Sequence, residues 1–470
     1  MKSKVLALIL LCGAASLGAK VKLPALVGDN MILQQQTEVK LWGTAAPEAE
    51  VRVTPSWNGQ TMTCRADKDG GWTLAVETPA AGYTPYEITF DDGEKTTLKN
   101  ILIGEVWLAS GQSNMEMPLK GFAGCCIMNG ADDIIVSAEN KGVRMFTVPK
   151  HQTYELQTDC KGSWNISSIE TAPDFSATAY YFATSLSRAL RIPVGIICSA
   201  YGGSTVEGWI SRELLENYPD ISLNPDSIER LHPMLRPMLM YNAMLKPLQN
   251  YTIKGFIWYQ GESNSADPAL YKKLFPAMVA QWREFFHNPA MPVYYVQITP
   301  WQAEGKDRLD RAWFRQCQLE LMQEVPNVGM VTTTDAGSEK FIHPPYKIKV
   351  GQRLAYWALA KTYGKEGFLY AGPLYKSHQL KENVVEITFE HGSDGLIPEN
   401  QKLRGFELVD EKGNIVPAEA EIINGSARVK VWNDSVPHPV EVRYCFRNYM
   451  EGDLFNNAEI PASPFRVVIH

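Results

Sequence analysis

The 470-residue chain has little that would mark a metal site, a nucleic-acid binder or a membrane protein. Its eight cysteines form no CxxC pair and no HExxH stretch occurs, so the ligand spacings of zinc sites are missing. Nothing else in the motif set calls for a cofactor. Positive charge is in deficit: 45 Lys and Arg against 52 Asp and Glu give a formal charge of −7. Polyanion readers carry basic patches that release counterions from phosphates, so DNA, RNA and anionic lipid drop out as expected partners. Internal repeats and low-complexity stretches are absent, and every apolar run is too short for the roughly 20 residues that span a bilayer.

The first of those short runs has a meaning of its own. "MKSKVLALILLCGAASLGAK" places two lysines before an apolar run and ends it in small residues, the pattern of a secretory signal peptide removed after Ala19. The expectation is a secreted or periplasmic protein with residues 1–19 as the signal. Leu11 stands where lipid attachment at Cys12 would want a small residue, which weighs against an anchor. An exported chain permits disulfides, yet the seven cysteines left once Cys12 goes with the signal peptide stand at irregular spacings and give no framework. They read as buried thiols, with one bridge in the Cys125-Cys126 region as the lesser alternative.

The length exceeds the 250 to 300 residues at which single cores stop growing, so two or three domains are expected. Residues 20–100 show short alternating runs such as "EVKLWGTA" and "YEITFDDGEKTTL". Asp69-Gly70 and Asp92-Gly93 read as hairpin turns, and the whole as a β-sandwich-like domain. From Ile101 to about residue 365, apolar strands alternate with amphipathic helices: "IGEVWLAS", "FSATAYYFATSLSRAL", "PVGIICSAYGGS", "IKGFIWYQGESN", "LYKKLFPAMVAQWREFF" and "VGMVTTTDAG". That is the pattern of a parallel sheet covered on both faces, which binds ligands beyond the carboxyl ends of its strands. Residues 366–470 return to a β pattern, either as a separate domain or packed with the N-terminal strands.

Three of the expected parallel strands end in polar, glycine-containing loops: Ser110 to Asn114, Tyr201 to Ser204, and Tyr259 to Asn264. A fourth ends at Asp335, with His343 eight residues on. A serine hydroxyl needs a base within hydrogen-bond reach, itself oriented by a third group, and Ser113, His343 and Asp335 supply those types. The backbone N–H groups of Ser113 and Gly203, with a side-chain amide from Gln260 or Asn264, can form an oxyanion hole. The residues alone leave other readings open. Ser113 can be a turn serine, Ser199, Ser204 and Ser263 are rival nucleophiles, and Glu262 can be a glycosidase acid.

The blocks "GEVWLASGQSNMEMPL", "AYGGSTVEGWI", "YNAMLKPLQNYTIKGFIWYQGESN" and "IHPPYKIKVGQRLAYWAL" resemble the sialate O-acetylesterase family, a branch of the SGNH-type hydrolases. "MILQQQTEVKLWGTA" and "LFNNAEIPASPFR" extend the likeness to nearly the whole mature chain. The resemblance implies a three-layer α/β/α, flavodoxin-like catalytic domain between β-sandwich-type regions. It also implies metal-independent removal of acetyl groups, through an acetyl-enzyme, from O-acetylated sialic acid or another acetylated glycan such as acetylated xylan. Ser113 matches the nucleophile, His343 the base and Gly203 the second-block glycine. Gln260, then Asn264, stands nearest the family's amide donor. The acid three residues before the histidine is replaced by Lys340, which leaves Asp335, then Glu339, or a serine-histidine dyad.

Overall fold

The computed structural model describes residues 20–469, so the expected signal peptide and Cys12 lie outside the described residues. At its centre runs the 17-residue strand β1 (Lys95–Gly111), which belongs to two regions at once. Its first six residues are mostly half-buried or exposed, and they pair antiparallel with the strand Gly82–Asp91. From Ile101 to Gly111 every residue is buried, as a strand covered on both faces requires. The expected boundary at residues 100 and 101 therefore falls inside one continuous strand.

Beyond that point β1 is joined by β2 (Val143–Thr147), β3 (Trp164–Ile166), β4 (Val194–Ala200), β5 (Gly255–Tyr259), β6 (Val293–Val296) and β7 (Val328–Val331). The spatial order is β7-β6-β5-β1-β4-β2-β3, all parallel except the edge strand β3. Alternation along β1 sends side chains to opposite faces. Trp107 and Ala109 pack with Phe182 of α2 (Ala177–Leu190) and Leu354 of a later helix, Lys347–Trp357. Val106 and Leu108 pack into the core that holds Phe275 of α3 (Pro268–Phe285) and Leu321 of α4 (Asp310–Glu324). The later helix, Lys347–Trp357, is α5. Helices thus cover both faces of a mixed α/β fold.

The N-terminal strands fill their core by alternation: Trp72, Leu74 and Val76 point inward from Gly71–Glu77, and Val51 and Val53 from Glu50–Pro55. Asp92-Gly93 forms the expected hairpin, closing at the pair Asp91 and Lys95. Asp69-Gly70 does not. The strand before it pairs with Glu50–Pro55 and the strand after it with Glu38–Thr44, so this turn hands the chain from one sheet to another. Asp67 holds the turn by accepting from the Asp69 and Gly71 N–H groups, both at 2.8 Å. The C-terminal region builds two four-stranded sheets whose strands pair, among the described residues, with one another and not with the N-terminal ones. All seven described cysteines are free thiols, so no bridge forms at Cys125-Cys126. No described helix is long and apolar enough to cross a membrane.

The strand order reverses beside β1, with β4 on one side and β5 on the other, which makes its carboxyl end the switch point where such sheets bind ligands. Gly111 closes the strand at φ 139°, and a Cβ there would stand 2.2 Å from the Tyr259 carbonyl oxygen. Only glycine fits. Gly111→Ala is expected to lower stability by at least about 2 kcal/mol, since strain at such a φ alone costs 1 to 3 kcal/mol; an unchanged urea midpoint would refute this reading of the strand end.

Candidate active site

The register brings the three polar loops to one level. Gly111 is the Cα partner of Ala200 on β4 and of Tyr259 on β5, so the loops that follow all leave the sheet at the same edge. Backbone bonds continue the alignment past the strand ends: the Gln112 N–H donates to the Tyr259 carbonyl at 3.0 Å, and the Tyr201 N–H to the Gly111 carbonyl at 3.0 Å. The Gln112 side chain accepts from the Gly261 and Ser263 N–H groups at 3.2 and 3.4 Å. Ser113 opens the short helix α1 (Ser113–Glu116), half-buried, where its own N–H is one of the first-turn donors without a helical partner.

The next residue, Asn114, is fully buried and reaches the fourth loop. Its Nδ2 donates to Glu262 Oε1 at 2.7 Å and to the Ile342 carbonyl at 3.1 Å, while its Oδ1 accepts from Lys347 Nζ at 2.6 Å. Ile342 directly precedes His343, so the neighbour of Ser113 holds the neighbour of His343. The imidazole of His343 is half-buried, edge-on to Phe122 with centroids 5.3 Å apart. Burial, then the charge of Lys347, pushes its pKa below the ordinary imidazole value, which keeps the ring neutral and able to accept a proton. Lys347 is itself pushed down to about 7 by burial, and burial pushes the Glu262 carboxyl up. Hydrogen bonds among the described residues do not include one from Ser113 Oγ to His343; such bonds commonly tighten only with substrate bound.

Asp335 is not brought to His343. Its carboxylate is gripped by Arg353, at 2.7 Å to Oδ1 and 2.9 Å to Oδ2, and by Lys349 at 2.7 Å. Burial raises its pKa, but the two cations outweigh burial and hold it below the usual carboxylate value. The residue lines a separate cleft toward the C-terminal region, with Phe455 and Glu459. The alternative, Glu339, lines another, with Arg447 and Tyr449.

The amide candidates also face elsewhere. Gln260 is fully buried and donates to the Ser204 carbonyl at 3.1 Å and to Asn264 Oδ1 at 2.6 Å, which uses both of its N–H groups. Asn264 accepts from the Val206 N–H at 2.9 Å and donates to Glu207 at 3.0 Å. Both staple the second loop from behind instead of opening toward an oxyanion. Gly203 fares differently: its N–H has no acceptor among the described residues. At φ 77° and with Met234 Sδ 1.9 Å from any added Cβ, the position takes only glycine.

Of the rival serines, Ser199 donates to the Met244 carbonyl and Ser263 to the Gly203 carbonyl, and Ser204 accepts from the Trp209 indole. Glu262, the glycosidase alternative, belongs to the buried support behind Asn114. Lys347 and Asn114 were not singled out from sequence as functional; the signal available was that each lies within a quoted block beside Ser113 or His343. A pocket of about 270 Å³ lined by Glu116, Phe122, Lys150 and Ala200 opens next to the serine loop. A cleft of about 690 Å³ lies away from it, around Trp42, Trp72 and Asn250.

Sheet, switch point and strand-end loops are those of an α/β carboxylic ester hydrolase, and comparison with known proteins agrees. Residues 103–360, more than half of the chain, match the carbohydrate esterase family described as sialic acid-specific acetylesterase. The chain is 27% identical to the sialate O-acetylesterase of Rattus norvegicus over 456 residues, covering 82% of each, and 26% identical to that of Homo sapiens, covering 97% of this chain and 94% of the human one. A crystal structure of a carbohydrate acetylesterase from Xanthomonas citri shares 32% identity and superposes with a TM-score of 0.86 over 95% of this chain and 99% of that one. The chain belongs to the sialate O-acetylesterase family and is a carboxylic ester hydrolase.

Two substitutions separate the roles around His343. Lys347→Met removes one of the two influences that depress the imidazole pKa, so that pKa rises. The acidic limb of kcat/KM, which reports the base in the free enzyme, is expected to move to higher pH; a limb that stays or moves down would contradict the coupling. Asp335→Asn leaves the buried Arg353 half-paired and is expected to cost about 3 to 5 kcal/mol of stability. Turnover of the folded enzyme should stay within a few-fold of wild type, whereas loss of a triad acid drops kcat by about 10⁴.

Proposed function

We propose that this protein removes O-acetyl groups from sialic acids through an acetyl-enzyme on Ser113, in an exported form cut after Ala19. The observation that carries the reading is the family match over residues 103–360, a span that contains Ser113, Gly203 and His343. Relatives matched over 82% and 94% of their own length carry the name sialate O-acetylesterase, which supports the choice of sugar. The same reading makes residues 101–365 a three-layer α/β/α domain of SGNH type, with β-sandwich-type regions on either side.

In the first half-reaction His343 takes the Ser113 hydroxyl proton as Oγ bonds to the acetyl carbonyl carbon. The oxygen that becomes negative is received by the N–H groups of Ser113 and Gly203, each such donor contributing roughly 2.7 to 4 kcal/mol to the transition state. The carbon–oxygen bond to the sugar breaks, and the sugar oxygen leaves with the proton from His343. Water then attacks the acetyl-serine, gives its proton to His343, and releases acetate as Ser113 regains its hydrogen. Asp335 and Glu339 face other clefts, so Ser113 and His343 act as a dyad. The imidazole is oriented by the Asn114 tie on Ile342 and by Phe122.

Acetate release from 9-O-acetylated sialic acid and from acetylated xylan, by wild type and Ser113→Ala, tests both parts. Ser113→Ala is expected to lose more than about 10³-fold in kcat, and wild type to prefer the sialic acid. Retained turnover in the variant would remove Ser113 from the mechanism, and preference for xylan would change the substrate.

A further inference from the structure

Glu116 has no part in the mechanism above, yet its carboxylate sits against the loop that receives the oxyanion. It lies three residues after Ser113 at the other end of α1, so both side chains leave the same face of that turn. Oε2 accepts the Gly202 N–H at 2.6 Å. Oε1 is ion-paired with Lys150 Nζ at 2.6 Å, and that ammonium stands 5.5 Å from the centre of the Tyr201 ring. Gly202 is close to the nucleophile itself: a Cβ on it would be 3.5 Å from Ser113 Cβ and 2.9 Å from Glu116 Oε2.

The other fixed points of this loop come from elsewhere. The Tyr201 N–H is held by the Gly111 carbonyl, the Ser204 N–H by Tyr201, and the Gly203 carbonyl by Ser263. Between them the Gly202 N–H is held by Glu116 alone among the described residues. The plane before the Gly202–Gly203 peptide is held at the Gly202 N–H and the plane after it at the Gly203 carbonyl and the Ser204 N–H, so the peptide carrying the Gly203 N–H is held from both sides; that N–H has no acceptor among the described residues. With two glycines in succession the loop has little stiffness of its own.

We infer that Glu116 is a positioning residue that sets the oxyanion loop by accepting the Gly202 N–H, leaving the Gly203 N–H aimed at the reacting carbonyl. The inference rests on Ser113 being the nucleophile. The property it requires is reach and an acceptor oxygen, and not charge. Glutamine keeps both and loses only the charge, whereas aspartate keeps the charge and falls one methylene short.

Kinetics on a small aryl acetate with Glu116→Gln, Glu116→Asp and Glu116→Ala distinguish the two. Glu116→Ala and Glu116→Asp are expected to lose on the order of 10²-fold in kcat, the effect of one displaced oxyanion donor, with KM within about twofold. Glu116→Gln should stay within about fivefold of wild type, and the acidic limb of its pH profile should not move. Rescue by aspartate and not by glutamine would overturn the inference in favour of a charge acting on His343, and full activity of Glu116→Ala would overturn it outright. Should Glu116→Ala fold poorly, the comparison of Gln with Asp decides alone, with melting temperatures checked for both. Ser113→Ala run alongside keeps the two readings apart: if it retains turnover the nucleophile is wrong, whatever the Glu116 series gives.

Discussion

One buried amide ties the site together. The side chain of Asn114 meets Glu262, Ile342 and Lys347, which lie 148, 228 and 233 positions away in sequence. In a low-dielectric interior a polar group left without its partner costs more than a satisfied one gains, so such a network holds only when every member is in place. The partners also decide which end of the amide is which, because two acceptors face its nitrogen and an ammonium faces its oxygen. Ser113 and His343 each stand one residue from an atom of this network, so their relative position follows from it. The network in turn depends on the sheet register that sets Gly111, Ala200 and Tyr259 level.

Electrostatics around His343 follow from the same packing. Lys347 is fully buried behind the site, and burial of the imidazole, then the Lys347 charge, pushes the His343 pKa down and favours the neutral ring. A carboxylate beside the imidazole would work the other way, holding its pKa up. Asp335 is drawn to Arg353 instead, where two nearly parallel N–H bonds suit a carboxylate better than one imidazole N–H does. The His343 ring is flanked instead by the anchored backbone at Ile342 and by the Phe122 ring.

The flanking β regions support the strand-end loops. β1 runs unbroken from the N-terminal sheet to Gly111, so that region is an extension of the central strand. From the other side, Asn448 bonds the Arg311 N–H and the Ala303 carbonyl, and its own carbonyl accepts from Trp301, which ties down the loop after β6. Thr334 donates to the Ala462 carbonyl and Arg353 to that of Glu459, next to the turn that leads to His343. Loops of this length on a sheet edge are otherwise the mobile part of such a fold.

The sequence by itself determined that apolar strands alternate with amphipathic helices from Ile101 onward, and that three strands end in polar glycine loops, one of them carrying Ser113. Those features are local, since burial on two faces writes a continuous apolar run and a sharp exit demands glycine. Short elements escaped: β2 and β3, five and three residues long, carry too few positions to show a period. The Asp69-Gly70 turn was visible but not its destination, because a turn signal says that the chain bends and not which strand it joins. Partner choice was decided only by the tertiary structure. Asp335 turned to Arg353, Gln260 and Asn264 turned inward to the second loop, and Lys347 was buried against Asn114. A hydrogen bond is made or lost over a few tenths of an ångström. That distance is fixed by how helices seat on the sheet, which no single stretch of residues encodes.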